Sequence, residues 1–218
     1  MKKNWPVVIM EPNREVVVVE MECLRGGLDD KRGGYGKLVV KELAMAHRDC
    51  VDLFLFMSPQ PWEPPEMVRH NRWIRQNING LRWHHGYVPY EMLPVIVGRI
   101  AGQFNTLYTK GSEKASMLRE IISSNAESSW SPNWCHVIDL DSIGCPKLGQ
   151  MKEEISAKCM LHYGLDGRKQ CAMEKALKFY LWLRNKKKEG EEGDEAQEKK
   201  KIEQEQLQQN MELEMWDI

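Results

Sequence analysis

An α/β fold, a five-stranded mixed sheet flanked by helices, is predicted by three observations. Three β-rich runs joined by turns open the chain, a strand-helix-strand alternation follows, and a helix with one apolar face closes it. Glu15 to Glu22 is a β-branched run too short for a helix and reads as a buried strand. A Gly-rich turn, Arg25 to Gly36, leads to a second strand over Lys37 to Ala46, and a third covers Val51 to Phe56, which together predict an antiparallel meander. Pro59, Pro61, Pro64 and Pro65 end it. Glu66 to Asn79 can form a helix, Gly80 to Gly86 a loop, and Pro89 to Ala101 a helix with Pro near its first turn. Phe104 to Thr109 is strand-like, Ser112 is placed to cap a helix over Glu113 to Ser124, and Trp134 to Leu140 is the fifth strand. Pro146 to Ser156 reads as a short helix. Cys171 to Arg184 carries its apolar face through Met173, Ala176, Leu177, Tyr180, Leu181 and Leu183.

The 218 residues suffice for one medium domain with extra chain at an end. The expected organisation is an extension over 1–14, the domain over 15–184, and a charged, partly disordered or helical tail over 185–218. The tail holds 6 Lys against 11 acids, which leaves 25 basic and 21 acidic groups in residues 1–184. That mildly basic domain permits contact with a polyanion without demanding it. The charge run Lys186 to Asp194 is read as solvated, and the terminal segment around Trp216 as a frayed end that could dock a protein partner. No long apolar run follows Met1 to Pro6, so neither a signal peptide nor a membrane span is expected. With 6 unevenly spaced cysteines, the expected setting is intracellular, cytoplasmic or nuclear, where thiols stay free or bind metal.

The chemistry concentrates near the end of the domain. Cys159-Met160-Leu161-His162 and then Cys171-Ala172 put two thiols and an imidazole within thirteen residues. The two-residue gap between Cys159 and His162 lets both face one ion, and the glycines of the following loop can return Cys171 to it. This is the ligand chemistry of a structural Zn2+, and the plain counter-reading is two core cysteines and a core histidine. A fourth ligand must come from elsewhere, with Cys145, His136, Glu22 and Glu42 as candidates.

The order of elements resembles the ribonuclease-H-like arrangement of DEDD-type 3′–5′ exonucleases. Glu20-Met21-Glu22 is similar to the family's acid-x-Glu pair on its first strand. Tyr108 to Lys114 stands at the second motif, and Val137-Ile138-Asp139-Leu140-Asp141 at the next acid-bearing strand. Where the family's closing helix brings His and Asp, this chain has Cys159, His162 and Cys171-Ala172. That substitution resembles the Maelstrom domain of the germline small-RNA (piRNA) pathway, which implies a Glu-Cys-His-Cys zinc site with Glu42, in Lys41-Glu42-Leu43-Ala44, as the fourth ligand. The chain has no HMG box, so the likeness is that of a relative. Pro61-Trp62, the Gly80 to Gly86 loop and Pro89-Tyr90 also resemble segments of an uncharacterised group of arthropod, partly mobile-element-associated proteins.

Two functions are weighed on these residues. A two-metal nuclease would use Glu20, Glu22, Glu113, Asp139 and Asp141 to hold Mg2+ or Mn2+. Against it, Glu20 replaces the family's shorter Asp, Glu113 or Lys114 stands at the second-motif Asp, and zinc ligands replace the third-motif His and Asp. If the chain does cleave, the Maelstrom likeness implies a single-stranded RNA endonuclease independent of those acids. A binding module would hold single-stranded RNA on Arg69, Arg72, Trp73, Arg75, Arg82, Trp83 and His84, where cations and stacking faces lie together. The plain alternative buries Trp73 and Trp83 in the core. The expected function is therefore a zinc-stabilised, catalytically degenerate RNA-binding or interaction module, with a role in piRNA or transposon silencing implied by the resemblance. The alternatives are an active ribonuclease and a structural adaptor.

Overall fold

The computed structural model describes residues 16–26, 37–48, 50–124, 135–151, 159 and 171–188. Five strands form one sheet: β1 (Val18–Arg25), β2 (Leu38–His47), β3 (Cys50–Leu55), β4 (Thr106–Thr109) and β5 (His136–Asp139). Their spatial order is β3-β2-β1-β4-β5. β2 runs antiparallel to both β1 and β3, which completes the meander, whereas β4 pairs parallel with β1 and with β5. The sheet is thus mixed, as the sequence predicts. β1 lies three residues later than Glu15–Glu22, and β4 is shortened because Phe104 ends the preceding helix and is buried.

The helices are α1 (Val68–Ile74), α2 (Met92–Gln103), α3 (Ser112–Ser124) and α4 over 172–188. α1 ends early because its continuation, Arg75–Asn79, opens into a wider turn. Gly80, at φ 71°, closes that turn with its N–H on Arg75 O at 3.1 Å. Ser112 is the first residue of α3 instead of its cap. Of the helix expected over Pro146 to Ser156, the described residues 146–151 form one short turn, Leu148–Gln150, and 152–156 lie outside the described residues.

Alternation along β1 divides the sheet into two chemically different faces. Val17, Val19 and Met21 join Leu43 and Met45 of β2 in the main core, packed with Leu93, Val97 and Ile100 of α2 and with Leu118 and Ile122 of α3. The opposite face of β1 carries Glu20 and Glu22, both buried. Glu22 pairs with Glu42, but Cys23 pairs with Val40, so Lys41 is the extra residue of a β-bulge. The bulge keeps Val39 on the Glu22 side, where it packs with Leu24, Ile74 and Trp83 in a second, smaller core.

The chain divides into two compact units, Met1–Tyr180 and Leu181–Ile218. Within the described part of the second unit, Lys186 Nζ lies 5.1 Å from the centre of the Trp182 ring, a cation–π contact. Of the tail expected over 185–218, residues 185–188 are the end of α4, and 189–218 lie outside the described residues. No described helix is long and apolar enough to cross a membrane.

Candidate metal centre and basic hollow

The polar face of the sheet presents three glutamates, and each meets different chemistry. Glu20 Oε1 accepts from Lys110 N at 2.7 Å and Thr109 Oγ1 at 3.4 Å, while its Oε2 is bonded by Lys114 Nζ. Burial works against the Lys114 ammonium, yet Glu20 and Glu22 hold its pKa above the ordinary value. Glu22 Oε1 accepts from Lys175 Nζ of α4 at 2.6 Å. Glu42 Oε2 accepts from Ala172 N, at the start of α4, at 2.9 Å.

The remaining acids weighed for a nuclease are also engaged by protein donors. Asp139 Oδ1 accepts from Gly111 N and from Asp141 N, both at 2.9 Å, so it ties the end of β5 to the β4–α3 turn. That turn needs Gly111, whose φ of 102° suits glycine. Asp141 Oδ1 takes Lys110 Nζ at 2.5 Å, and Glu113 takes Arg25 at 3.4 Å on the surface. Three of these five carboxylates therefore face lysine ammoniums, with Lys114 and Lys110 supplied by the segment aligned with the second motif.

Among the described residues one cluster has metal-ligating geometry: Glu42, Cys159 and Cys171, all buried, with ligand atoms within 4.8 Å of one another. Cys171 sits just before α4, and its Sγ accepts from Glu174 N at 3.4 Å. Burial pushes the Cys171 thiol up, and the nearby Glu42 and Cys159 add to the shift. Burial likewise raises the Glu42 carboxyl to about 7, with the Ala172 N–H and Lys175 opposing and Glu22 reinforcing the rise. Two buried thiols beside a carboxyl whose pKa burial raises are a donor set suited to Zn2+. His162 lies outside the described residues. Of the other fourth-ligand candidates, Glu22 is held by Lys175, His136 is exposed, and Cys145 Sγ lies 3.7 Å from Pro146 O. None of the three belongs to the cluster.

The basic segment forms two adjoining hollows. The smaller, about 90 Å³, is lined by Arg72, Arg75 and Arg82 over Leu24, Val68 and Leu81. The larger, about 580 Å³, takes in Arg75, Gln76, Gly80, Arg82 and His84, and Glu63 and Trp83 border both. Trp83 is 3% exposed, with its Nε1 donating to Gln60 O at 3.1 Å, so it forms a wall and offers no stacking face. Trp73 is 56% exposed on α1, and Trp62 is 66% exposed just ahead of the hollows. Arg69 is exposed and lines neither hollow.

Sequence reasoning missed Lys175, Glu63 and Lys41. Lys175 follows Cys171 by four residues, a spacing that places both on one helical face. Lys41 is fully buried, and its Nζ lies 2.7 Å from Phe56 O and His85 O and 2.9 Å from Trp83 O and Ser58 Oγ. Its signal was a lysine beside Glu42 in a strand whose other residues from Leu38 to Ala46 are apolar. Compared with protein-family models, curated proteins and solved structures, the chain matches none.

Proposed function

We propose that this chain is a zinc-stabilised, catalytically silent domain of ribonuclease-H-like, Maelstrom-related type that binds single-stranded RNA. The observation that carries this reading is the fate of the three glutamates on the polar face. Glu20 and Glu22 are bonded to Lys114 and Lys175, and Glu42 lies with Cys159 and Cys171. A two-metal nuclease needs acids free to hold two cations, and an ammonium on each β1 acid occupies that role. Glu42, Cys159 and Cys171, with His162 as the fourth ligand, would hold Zn2+, and a closed set of four protein ligands is structural. Zinc there would fasten the start of α4 to β2. The element order, meander then strand-helix-strand then closing helix, supports the ribonuclease-H-like kinship.

RNA binding is supported by the two hollows with their arginines and by Trp73, which is exposed on α1 next to Arg72 in the chain. Small-RNA or transposon silencing is the setting that the Maelstrom kinship implies. The test uses the whole chain with an internally labelled single-stranded RNA in Mg2+ or Mn2+. Salt-dependent binding without product is expected. Divalent-cation-dependent product that disappears in Glu20→Ala or Asp139→Ala would restore the nuclease reading. Absence of binding would leave the adaptor.

A further inference from the structure

The two hollows differ in a way that points to one part of an RNA strand. The 90 Å³ hollow brings Arg72, Arg75 and Arg82 together with Asn71, Glu63, Leu24, Val68 and Leu81. It has room for a few waters, enough for the oxygens of a phosphate and too little for a sugar or base. The 580 Å³ hollow beside it falls within the range of small-molecule sites and shares Arg75 and Arg82 with the first. A strand passing through would need space on both sides of its phosphate. Among the described residues, the hollow that shares its lining with the smaller one is the larger one.

The cations at this place are also uncommitted. Lys110, Lys114 and Lys175 each bond a carboxylate. Among the described residues, none of the Arg72, Arg75 and Arg82 guanidiniums has an ion-pair partner. Both arms that carry them are fastened to the sheet beforehand. On the α1 side, Asn71 exchanges two hydrogen bonds with the Arg25 backbone, at 2.7 and 2.8 Å, and Asn79 Nδ2 donates to Cys23 O at 3.3 Å. On the loop side, Lys41 Nζ holds Trp83 O and His85 O, the carbonyls that flank His84 in the chain. Guanidiniums on anchored backbone lose less freedom on binding, and their flat forks match phosphate oxygens.

We infer that the smaller hollow takes a terminal phosphomonoester of single-stranded RNA and the larger one the nucleoside that bears it. This rests on the RNA-binding reading above and names the part of the strand recognised. Arg72, Arg75 and Arg82 contact the phosphate. Glu63, a carboxylate that would only repel a phosphate, accepts from the 2′-hydroxyl of the same nucleotide, the donor that RNA brings and DNA lacks.

The test measures fluorescence anisotropy of the whole chain with three internally labelled oligouridylates: 5′-phosphate, 3′-phosphate, and hydroxyl at both ends. One phosphorylated form is expected to bind at least about tenfold more tightly than the dihydroxyl form, roughly one good charge-assisted contact pair. Arg72→Gln and Arg82→Gln, both at exposed positions, are expected to erase that preference without changing the melting temperature. A 2′-deoxy end nucleotide should weaken wild type severalfold and leave Glu63→Gln unaffected, and equal loss in both overturns the role of Glu63. Equal affinity for all three RNAs, reduced alike in the arginine variants, would overturn end recognition while leaving RNA binding in place. Failure to bind any of them would overturn the RNA-binding reading itself.

Discussion

Glu22 stands directly opposite Glu42 across the β1–β2 ladder, and both carboxylates are buried. Like charges facing each other across a sheet destabilise it, so each needs its own compensation. Both receive it from α4: Lys175 bonds Glu22, and the Ala172 N–H, at the positive end of the helix, bonds Glu42. Lys175→Met is therefore expected to cost about 3–5 kcal/mol, because it leaves a buried carboxylate unpaired beside a second one. Adding Glu22→Gln should return much of that loss. Urea unfolding of the two single variants and the double variant measures the coupling. A cost below about 1 kcal/mol for Lys175→Met would show that the pair does not hold α4 to the sheet.

The purified chain is expected to carry one zinc, read by elemental mass spectrometry. Cys159→Ser and Cys171→Ser should lose the metal, and Glu42→Gln should bind it more weakly. Removing the metal with a chelator should lower the melting temperature by about 6–12 °C if the site contributes only ~3 kcal/mol. Zinc affinity should also fall as pH drops from about 8 to 6, because the ion must displace protons from Glu42, which is raised to about 7, and from Cys171. A metal-free wild type that melts like Cys159→Ser would leave these as ordinary buried residues.

The sheet and its order along the chain were legible because hydrophobic periodicity is local: runs such as Val16 to Val19 and Leu53 to Phe56 announce strands wherever they sit. All four proposed zinc ligands were named from the sequence, Cys159, His162 and Cys171 as a spaced motif and Glu42 through a family likeness, and three of them, Glu42, Cys159 and Cys171, lie together among the described residues. Lysine pairing was not legible. Lys175 lies 153 residues from Glu22 and Lys114 lies 94 from Glu20, and no local pattern encodes such meetings. Trp83 misled for a related reason, since Arg82 and His84 on either side mark a polar loop while the ring turns inward against Ile74 and Leu24. The bulge at Lys41 is equally silent, because an extra residue shows only once register is known.

Gly86 fixes how the loop bearing Arg82 and His84 crosses the end of β3. Its φ is 144°, and a Cβ there would lie 2.2 Å from Phe56 O and 2.4 Å from Met57 N. Both are backbone atoms and cannot step aside. Gly86→Ala is expected to cost about 3 kcal/mol or more, through clash and backbone strain together. It should also disturb the neighbouring Tyr87 and Val88 N–H bonds to Leu55 O, each 3.0 Å long. Thermal melting measures the first effect, and amide exchange at Tyr87 and Val88 the second. A variant with wild-type stability and protection would mean that the loop has another route past Phe56.

Lys41 gives this fold a pH dependence that can be assigned to one side chain. Burial lowers its ammonium from 10.5 to about 8. Between those values the unfolded chain keeps a proton that the folded chain has shed, so stability from this group rises with pH across that window. It is unaffected well below pH 8, where both states are charged. The gain is at most about 3 kcal/mol. Lys41→Met removes the titration and leaves Phe56 O, Trp83 O and His85 O without their lysine donor, at a cost of about 3 kcal/mol near pH 7. Urea unfolding of both proteins at pH 7, 8, 9 and 10 gives the difference curve. Wild type should outstrip Lys41→Met by a margin that widens above pH 8. A margin that stays flat to pH 10 would mean that the carbonyl cage holds the ammonium charged throughout, with those bonds offsetting the whole cost of burial.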